Sequence, residues 1–261
     1  LDPMAEGVLP ICVGAATRFA ELLTAGEKQY IASFRLGQSF DTFDITGTLD
    51  EESIIVLTRD EIERFFQGLV GETYLTVPAF SAKKIDGKRA YDLARKGELK
   101  DAGSALMTIK RIELLNYDYP DGTFVVDCGK GTYVRSIIHE LGQHTAAMAA
   151  MSGLIRSKNG SFHMDNALKL DQIAELVQAG KIEQVLTPVQ DVLDLPKLVL
   201  RKEAISKLLN GMPPESDAFL PAPTLPMAAQ CLILDESSTL LALGEFIGGH
   251  KPVKLSKVFH D

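Results

Sequence analysis

Residues 128–137 read Cys128-Gly129-Lys130-Gly131-Thr132-Tyr133-Val134-Arg135-Ser136-Ile137. The glycines break an apolar strand that we predict at residues 124–128, and a helix is predicted to begin at about Tyr133 and to end near Gly142. Two glycines around a lysine are typical of phosphate loops, but the stretch lacks the spacing of the Walker motif. Nucleotide binding is therefore not expected here.

Outward from this stretch, strands and helices are mixed without regular alternation. Alternating apolar residues predict a strand at residues 28–37, and two more strands are predicted at 107–119 and 124–128, joined by a turn at Asp121-Gly122. Thr58 with Glu61 three residues later predicts a capped helix. This mixture favours an α+β fold with a largely antiparallel mixed sheet and flanking helices.

The character of the chain changes after Pro196. Five prolines crowd the stretch between residues 213 and 226, and short strands are predicted at 230–234, 240–246 and 252–259. We therefore predict two domains, residues 1–195 and a small β-rich domain at residues 196–261.

Composition excludes several classes of protein. No run of about eighteen apolar residues occurs, so no membrane partner is expected. The three cysteines are far apart, which suits neither a metal site nor a disulfide framework and fits the reducing cytoplasm. The five histidines have no ligand spacing. We expect no metal.

The net charge of −8 argues against a nucleic-acid partner, but the charge is unevenly distributed. Residues 83–111 carry +5 and the rest of the chain carries −13. A basic arm at about residues 78–111 would steer a polyanion to one face. A basic helix that is merely solvated is the alternative reading of this charge run.

The opening residues, Leu1 to Pro10, form a constrained loop that presents an acid. Pro3 removes a backbone donor and moves Asp2 out of the helical region, and Gly7 permits a turn that other residues resist. Such a loop suits a catalytic carboxylate. We expect further residues to precede Leu1 in the complete protein, because a working acid should be held from both sides.

Four groups of motifs, in this order and spacing, resemble one family. They are Leu1-Asp2-Pro3-Met4-Ala5-Glu6-Gly7-Val8-Leu9-Pro10 with Val13-Gly14-Ala15-Ala16-Thr17-Arg18; Lys28-Gln29-Tyr30 with Arg35-Leu36-Gly37 and Asp41-Thr42-Phe43-Asp44-Ile45-Thr46-Gly47; Pro78-Ala79-Phe80-Ser81-Ala82-Lys83-Lys84 with Gly87-Lys88-Arg89-Ala90-Tyr91; and residues 128–137. The sequence resembles the TruB family of tRNA pseudouridine synthases over essentially its whole length. Members usually carry a Gly-His-x-Gly-type segment just before the Asp.

The resemblance implies a pseudouridine synthase fold followed by a small PUA-like β-barrel at residues 196–261. It implies an isomerase that detaches the uracil of a flipped-out uridine at position 55 in the T-loop of tRNA, rotates it and rejoins it through carbon. No cofactor, metal or guide RNA is implied. The tRNA T-stem-loop is the expected partner, and we expect a cytoplasmic monomer.

The resemblance also implies site residues. Asp2 is implied as the catalytic carboxylate, acting on either base or sugar. Arg135 is its implied partner, since a neighbouring guanidinium keeps a dehydrated carboxylate ionised. Tyr30 is implied to stack on the base and help move its proton, and Tyr133 and Leu154 to line the pocket.

Basic residues of the arm complete the expected site. Lys83, Lys84, Lys88 and Arg89 are expected to meet phosphates of the T-loop, which positions RNA without reading its sequence. Two alternatives stay open: a non-catalytic tRNA-binding or tRNA-folding protein on the same scaffold, and a guide-RNA-dependent subunit of related fold.

Overall fold

The structure, a computed structural model, describes residues 2–99 and 102–260. Lys100 and Asp101 of the basic segment, and Leu1 of the opening loop, lie outside the described residues. The chain divides into two compact units: Leu1–Ile11 with Glu21–Leu170, and Cys12–Ala20 with Asp171–Asp261. The functional domains expected at 1–195 and 196–261 remain a prediction.

The first unit is a sheet with flanking helices. Its strands are β1 (Glu6–Gly7), β2 (Lys28–Leu36), β3 (Gln38–Phe40), β4 (Leu49–Glu52), β5 (Gly71–Thr76), β6 (Lys84–Ile85), β7 (Lys88–Arg89), β8 (Ser104–Asp118), β9 (Asp121–Cys128), β10 (Ala149–Asn159) and β11 (Phe162–His163). Its helices are α1 (Ala20–Ala25), α2 (Arg59–Gly68), α3 (Ala90–Arg95) and α4 (Val134–Thr145).

The main sheet has seven strands, in the order β1-β10-β2-β9-β8-β5, with β11 paired to β10. β1 pairs with β10 in parallel, and the other pairs are antiparallel. Two short hairpins, β3-β4 and β6-β7, stand outside this sheet. The α+β prediction with a mainly antiparallel mixed sheet is confirmed.

Strand β2 shows why this sheet forms. Buried side chains alternate along it at Tyr30, Ala32, Phe34 and Leu36, which is the period of a strand with one face in the core. The Phe34 ring packs edge-on to a second ring, Phe66 of α2, with 6.5 Å between centroids. A single apolar core therefore joins the sheet to the helices.

The predicted turn at Asp121-Gly122 is wrong. Both residues belong to β9, Asp118 pairs with Asp121, and the connection is made by Tyr119 and Pro120. Gly122 lies against Phe34 so closely that a Cβ there would sit 2.3 Å from the phenyl ring. This glycine makes room for a core side chain rather than for a turn.

Helices α2 and α4 begin close to where the sequence predicts, but α4 ends later. Thr58 and Glu61 form the predicted capping box at the start of α2. Helix α4 continues through Gly142 to Thr145, beyond its predicted end. A Cβ on Gly142 would lie 2.4 Å from the backbone nitrogen of Ala149, so the glycine allows α4 to approach β10.

The second unit contains the remaining elements. They are α5 (Leu170–Gln178), α6 (Val189–Val192), β12 (Lys197–Val199), α7 (Lys202–Leu209), β13 (Gln230–Leu234), β14 (Leu240–Phe246) and β15 (Val253–Val258). The strands form one sheet in chain order, parallel between β12 and β13 and antiparallel thereafter. The small β-rich region is confirmed.

A separate segment of chain completes this unit. The sequence predicts one helix at residues 11–25, but residues Gly14–Phe19 form a 3₁₀ helix and α1 follows. Phe19 stacks on Phe259 with 4.8 Å between ring centroids, and Arg18 Nη1 donates to the Val258 carbonyl over 2.7 Å. Packing against the C-terminal strand, not helical periodicity, decides the local conformation.

Across residues 2–99 and 102–260, no helix combines the length and the hydropathy needed to cross a bilayer.

Gly7 fixes the opening loop to the main sheet. Its φ is 95°, in the region that favours glycine, and a Cβ would lie 2.3 Å from the Arg156 carbonyl oxygen. The next residue, Val8, donates its N–H to that oxygen over 2.8 Å. Close backbone approach at Gly7 thereby holds the loop that carries Asp2.

We expect Gly7→Ala to destabilise the protein more than Gly87→Ala. Both positions have positive φ, which costs an alanine about 1–2 kcal/mol, but Gly87 has open space around it. The overlap at Gly7 should add about 1–3 kcal/mol. Melting temperatures of the two variants measure the difference, and equal losses would contradict the close-approach argument.

Candidate active site

Asp2 lies at the start of a tight turn beside the main sheet. The N–H of Ala5 donates to the Asp2 carbonyl over 2.9 Å, and β1 then pairs with β10, placing Glu6 opposite Ile155 and Gly7 opposite Arg156. The Asp2 side chain is 24% exposed. The carboxylate is therefore held by a fixed backbone while still open to a substrate.

Arg135 is the charged partner of Asp2. It is the second residue of α4, its side chain is only 7% exposed, and Nη2 donates to Asp2 Oδ1 over 2.7 Å. The same nitrogen donates to the Phe80 carbonyl over 3.0 Å. The structure thus brings the predicted Asp2 and Arg135 pair into direct contact.

The other terminal nitrogen of Arg135 is held by the turn that follows β3. Nη1 donates to the Thr42 carbonyl over 2.8 Å and lies 3.4 Å from Asp44 Oδ2. Burying a cation requires this degree of pairing and hydrogen bonding. Arg135 therefore joins two carboxylates, Asp2 and Asp44, through one planar guanidinium.

Asp44 is a site residue that sequence reasoning missed. It is buried, and its Oδ1 accepts from the Thr46 N–H and from the Thr42 and Thr46 hydroxyls. The signal that could have identified it is an acid inside the polar stretch at residues 41–47, one of the motifs that resemble the family. Only the fold shows that this turn points its acid at Arg135.

Tyr30 lies on β2, directly opposite Arg156 on β10. Both side chains are buried, and Arg156 Nε donates to the Val8 carbonyl over 2.8 Å. Burial raises the pKa of the Tyr30 hydroxyl above its ordinary value, although the Arg156 guanidinium opposes the shift and Asp2 adds to it. Tyr30 is accordingly a neutral phenol at physiological pH, close to Asp2.

Arg156 is the second residue missed. The signal that could have identified it is its spacing from Leu154. Arg156 follows Leu154 by two residues, so both lie on the same face of β10. An arginine on a core-facing position needs acceptors, and here the Val8 carbonyl is one of them. Arg156 ties the opening loop to the tyrosine at the site.

Tyr133 and Leu154 both pack in the large apolar core that contains Tyr30. Leu154 is buried opposite Ala32, and Tyr133 is the partly buried residue before α4. The structure supplies an apolar environment around Tyr30, while their contact with a base stays a prediction.

The arm contains the β6-β7 hairpin and α3. Asp86 and Gly87 both have positive φ, as a two-residue hairpin turn requires. Lys84 and Arg89 are exposed, cross-strand neighbours. The Lys83 ammonium also donates to the Ala102 carbonyl over 2.7 Å, and the contacts of these basic residues with phosphate stay a prediction.

Among the described residues, no group of three His, Cys, Asp or Glu side chains is arranged to hold a metal ion. Cys128 is buried at the end of β9, and burial raises the pKa of its thiol to about 11. It is therefore a neutral thiol at physiological pH and not an activated nucleophile.

Comparison with known proteins agrees with this geometry. A family model described as "TruB family pseudouridylate synthase (N terminal domain)" matches residues 1–134. The "tRNA pseudouridine synthase B" of Caldicellulosiruptor saccharolyticus is 36% identical over 213 residues, 82% of this chain and 71% of that protein. Its counterpart in Bacillus cereus is 33% identical over 268 residues, 98% of this chain and 85% of that protein.

Solved structures show the same fold. A chain of the "Crystal Structure of a Cbf5-Nop10-Gar1 Complex" matches with a TM-score of 0.74 at 22% identity, covering all of this chain and 74% of that one. The fold and the family matches define a pseudouridine synthase, an isomerase that converts uridine to pseudouridine. Within that class, the chain belongs to the TruB family, which confirms the resemblance read from its motifs.

The Arg135 network predicts that Asp44→Asn destabilises the protein by about 1–3 kcal/mol, because a buried guanidinium loses a charged partner. Asp121→Asn is the matched control, since the Arg35–Asp121 pair is about half exposed on both sides and exposed pairs contribute little. The melting temperatures of the two variants measure the difference in stability. A loss at Asp121 as large as at Asp44 would contradict it.

Proposed function

We propose that this protein isomerises uridine at position 55 in the T-loop of tRNA, with Asp2 as the catalytic carboxylate. The observation that carries the proposal is the 2.7 Å contact between Asp2 Oδ1 and Arg135 Nη2, beside the buried Tyr30. The TruB family supplies the reaction class. Relatives at 33–36% identity named "tRNA pseudouridine synthase B" support tRNA as the substrate.

The chemistry suits the charges present. Breaking the C–N glycosidic bond builds positive charge on the sugar, and a fixed carboxylate stabilises that charge or captures it covalently. Arg135 anchors Asp2 and is itself anchored by three further acceptors. The carboxylate is thus positioned before the substrate arrives, which lowers the cost of reaching the transition state.

A flipped-out uracil loses the stacking that it had in RNA. Tyr30 offers an aromatic surface, worth about 1–3 kcal/mol per stacked base, and its raised pKa keeps the hydroxyl neutral. Tyr133 and Leu154 extend the apolar surroundings. In this proposal Tyr30 also relays the proton from carbon 5 of the base: its hydroxyl oxygen accepts that proton while its own proton passes to solvent water.

Binding of the tRNA is assigned to two further regions. Lys84, Lys88 and Arg89 are exposed on the β6-β7 hairpin. Together with Lys83, which precedes the hairpin, they would contact phosphates of the T-loop. The C-terminal unit would act as a PUA-like domain that holds the acceptor stem. A cytoplasmic monomer that needs neither metal nor guide RNA completes the proposal.

Two alternatives make different predictions. A non-catalytic RNA-folding protein would not need two carboxylates on one buried arginine. A guide-RNA-dependent subunit is suggested by the similar solved structure "Structure of H/ACA RNP bound to a substrate RNA containing 2'-deoxyuridine", but that likeness, at 20% identity, concerns the fold alone. Turnover of a bare tRNA transcript by the isolated complete protein would exclude both.

Asp2→Asn should abolish tritium release from tRNA labelled at carbon 5 of uridine, because the amide keeps the shape of the side chain but loses its charge. Filter binding of tRNA should stay within about threefold of wild type, since phosphate contacts carry most of the affinity. Glu6→Gln is the matched control, an exposed acid four residues away. Wild-type release with Asp2→Asn, or none with the unaltered protein, would defeat the proposal.

Removing two basic side chains from the arm should weaken tRNA binding and reduce its dependence on salt. For the double variant Lys84→Ala with Arg89→Ala, the slope of log affinity against log salt should fall by about one for each lost phosphate contact. Arg64→Ala on α2 serves as the control, because Arg64 is exposed outside the arm. An unchanged slope in the double variant would mean that the basic arm is only a solvated surface.

A further inference from the structure

Two rings stack next to the Arg135 network without belonging to it. Phe43 lies in the turn after β3, and its ring lies 3.7 Å from the imidazole of His139 on α4, with only 5° between their planes. The neighbours of Phe43 in the chain are Thr42 and Asp44, which both accept from Arg135 Nη1. The stack therefore sits at the middle of the turn that grips the buried guanidinium.

The backbone at Phe43 is unusual. Its φ is 64°, a left-handed conformation that is a genuine outlier for a bulky residue. Such conformations persist where the surroundings over-determine them, often beside functional sites. Here the Phe43 N–H donates to Phe40, and the Phe43 carbonyl accepts from Met151 on β10 over 3.1 Å. The backbone is fixed on the sheet side, and the ring fixes it on the helix side.

Helix α4 contacts this turn twice. Arg135 and His139 are four residues apart and so lie on one face of the helix, one turn after the other. The guanidinium binds the oxygens of the turn, and the imidazole covers its ring. A sideways shift of the turn would move the acceptors of Arg135, and with them the nitrogen that Arg135 presents to Asp2.

The charge state of the imidazole suits stacking. Burial lowers the pKa of His139, although Glu140 of the same helix and Asp50 of β4 oppose the shift with their negative charges. The ring is neutral at physiological pH. It therefore adds no second cation one helical turn from Arg135.

We infer that the Phe43–His139 stack positions the reaction centre: it holds the turn at residues 42–44 so that Arg135 keeps the rotamer that orients the Asp2 carboxylate. Both are positioning residues, acting through Arg135. This inference rests on the proposed function. The two stacked side chains, Phe43 in the turn and His139 on α4, take no part in the contacts among Asp2, Arg135 and Asp44.

The kinetic test removes one ring and then restores an aromatic face. His139→Leu should lower kcat for tritium release about tenfold, because a misplaced charge costs transition-state stabilisation, while KM stays within about twofold. His139→Phe should restore kcat to within about twofold of wild type. His144→Leu is the matched control: His144 lies on the same helix, but its ring is 5.4 Å from that of Phe65 and is not stacked on the turn after β3.

A second variant and a second readout guard against a folding defect. Phe43→Gly removes the ring but accepts the left-handed backbone without strain, so it should fold and still lose kcat. In nitrogen-15 NMR spectra, the guanidinium protons of Arg135 should exchange with solvent at least fivefold faster in His139→Leu and Phe43→Gly than in wild type. His144→Leu should leave that rate unchanged.

The outcomes separate the two proposals. If wild type releases no tritium, the proposed function fails, and the guanidinium exchange rates alone decide the role of the stack. Wild-type kcat and exchange in both His139→Leu and Phe43→Gly would overturn the inference. Failure of His139→Phe to restore kcat would overturn it as well, and so would an equal loss of kcat in His144→Leu.

Discussion

Burial of one cation, Arg135, organises the first unit of the chain. A guanidinium that is 7% exposed must have its charge and its hydrogen bonds satisfied, since leaving it unpaired would cost several kcal/mol. Its acceptors come from three separate stretches of chain: Asp2, the turn containing Thr42 and Asp44, and Phe80. The requirement for neutralisation draws these stretches together, so the site is part of what stabilises the fold.

Strand β10 provides the rigid frame for that arrangement. It pairs with β1 on one side and β2 on the other, and its Met151 also bonds the backbone of the turn after β3. The loop that carries Asp2, the strand that carries Tyr30 and the turn that carries Asp44 are thus all hydrogen-bonded to β10. Sites supported by regular elements keep their geometry better than sites on free loops. The positions of Asp2, Tyr30 and Asp44 are therefore fixed by the main sheet.

Local patterns in the sequence predicted what local physics controls. The alternation of β2 and the capping box at Thr58 follow from neighbouring residues, and both were read correctly. The predictions of a turn at Gly122 and a helix end at Gly142 are wrong. Glycine is typical of turns and helix ends but also of close packing, and only the fold distinguishes these uses.

The same limit applies to the site. The motifs named Asp2 and Arg135, and the structure brings them into contact. Asp44 and Arg156 went unnoticed because their partners lie 91 and 148 residues away in the chain, where no periodicity reports them. The hydrogen bond from Lys83 to a backbone carbonyl nineteen residues later is likewise a contact that no local pattern reports.

The parallel pairing of β1 with β10 has a consequence for how the protein is made. Asp2 and its partner Arg135 are 133 residues apart, and the strand that receives β1 is completed only at Asn159. Residues emerge from the ribosome in order, so the acid is synthesised long before its arginine and its docking strand exist. The contact between Asp2 and Arg135 and the pairing of β1 with β10 can therefore form only after residues up to Asn159 have been synthesised.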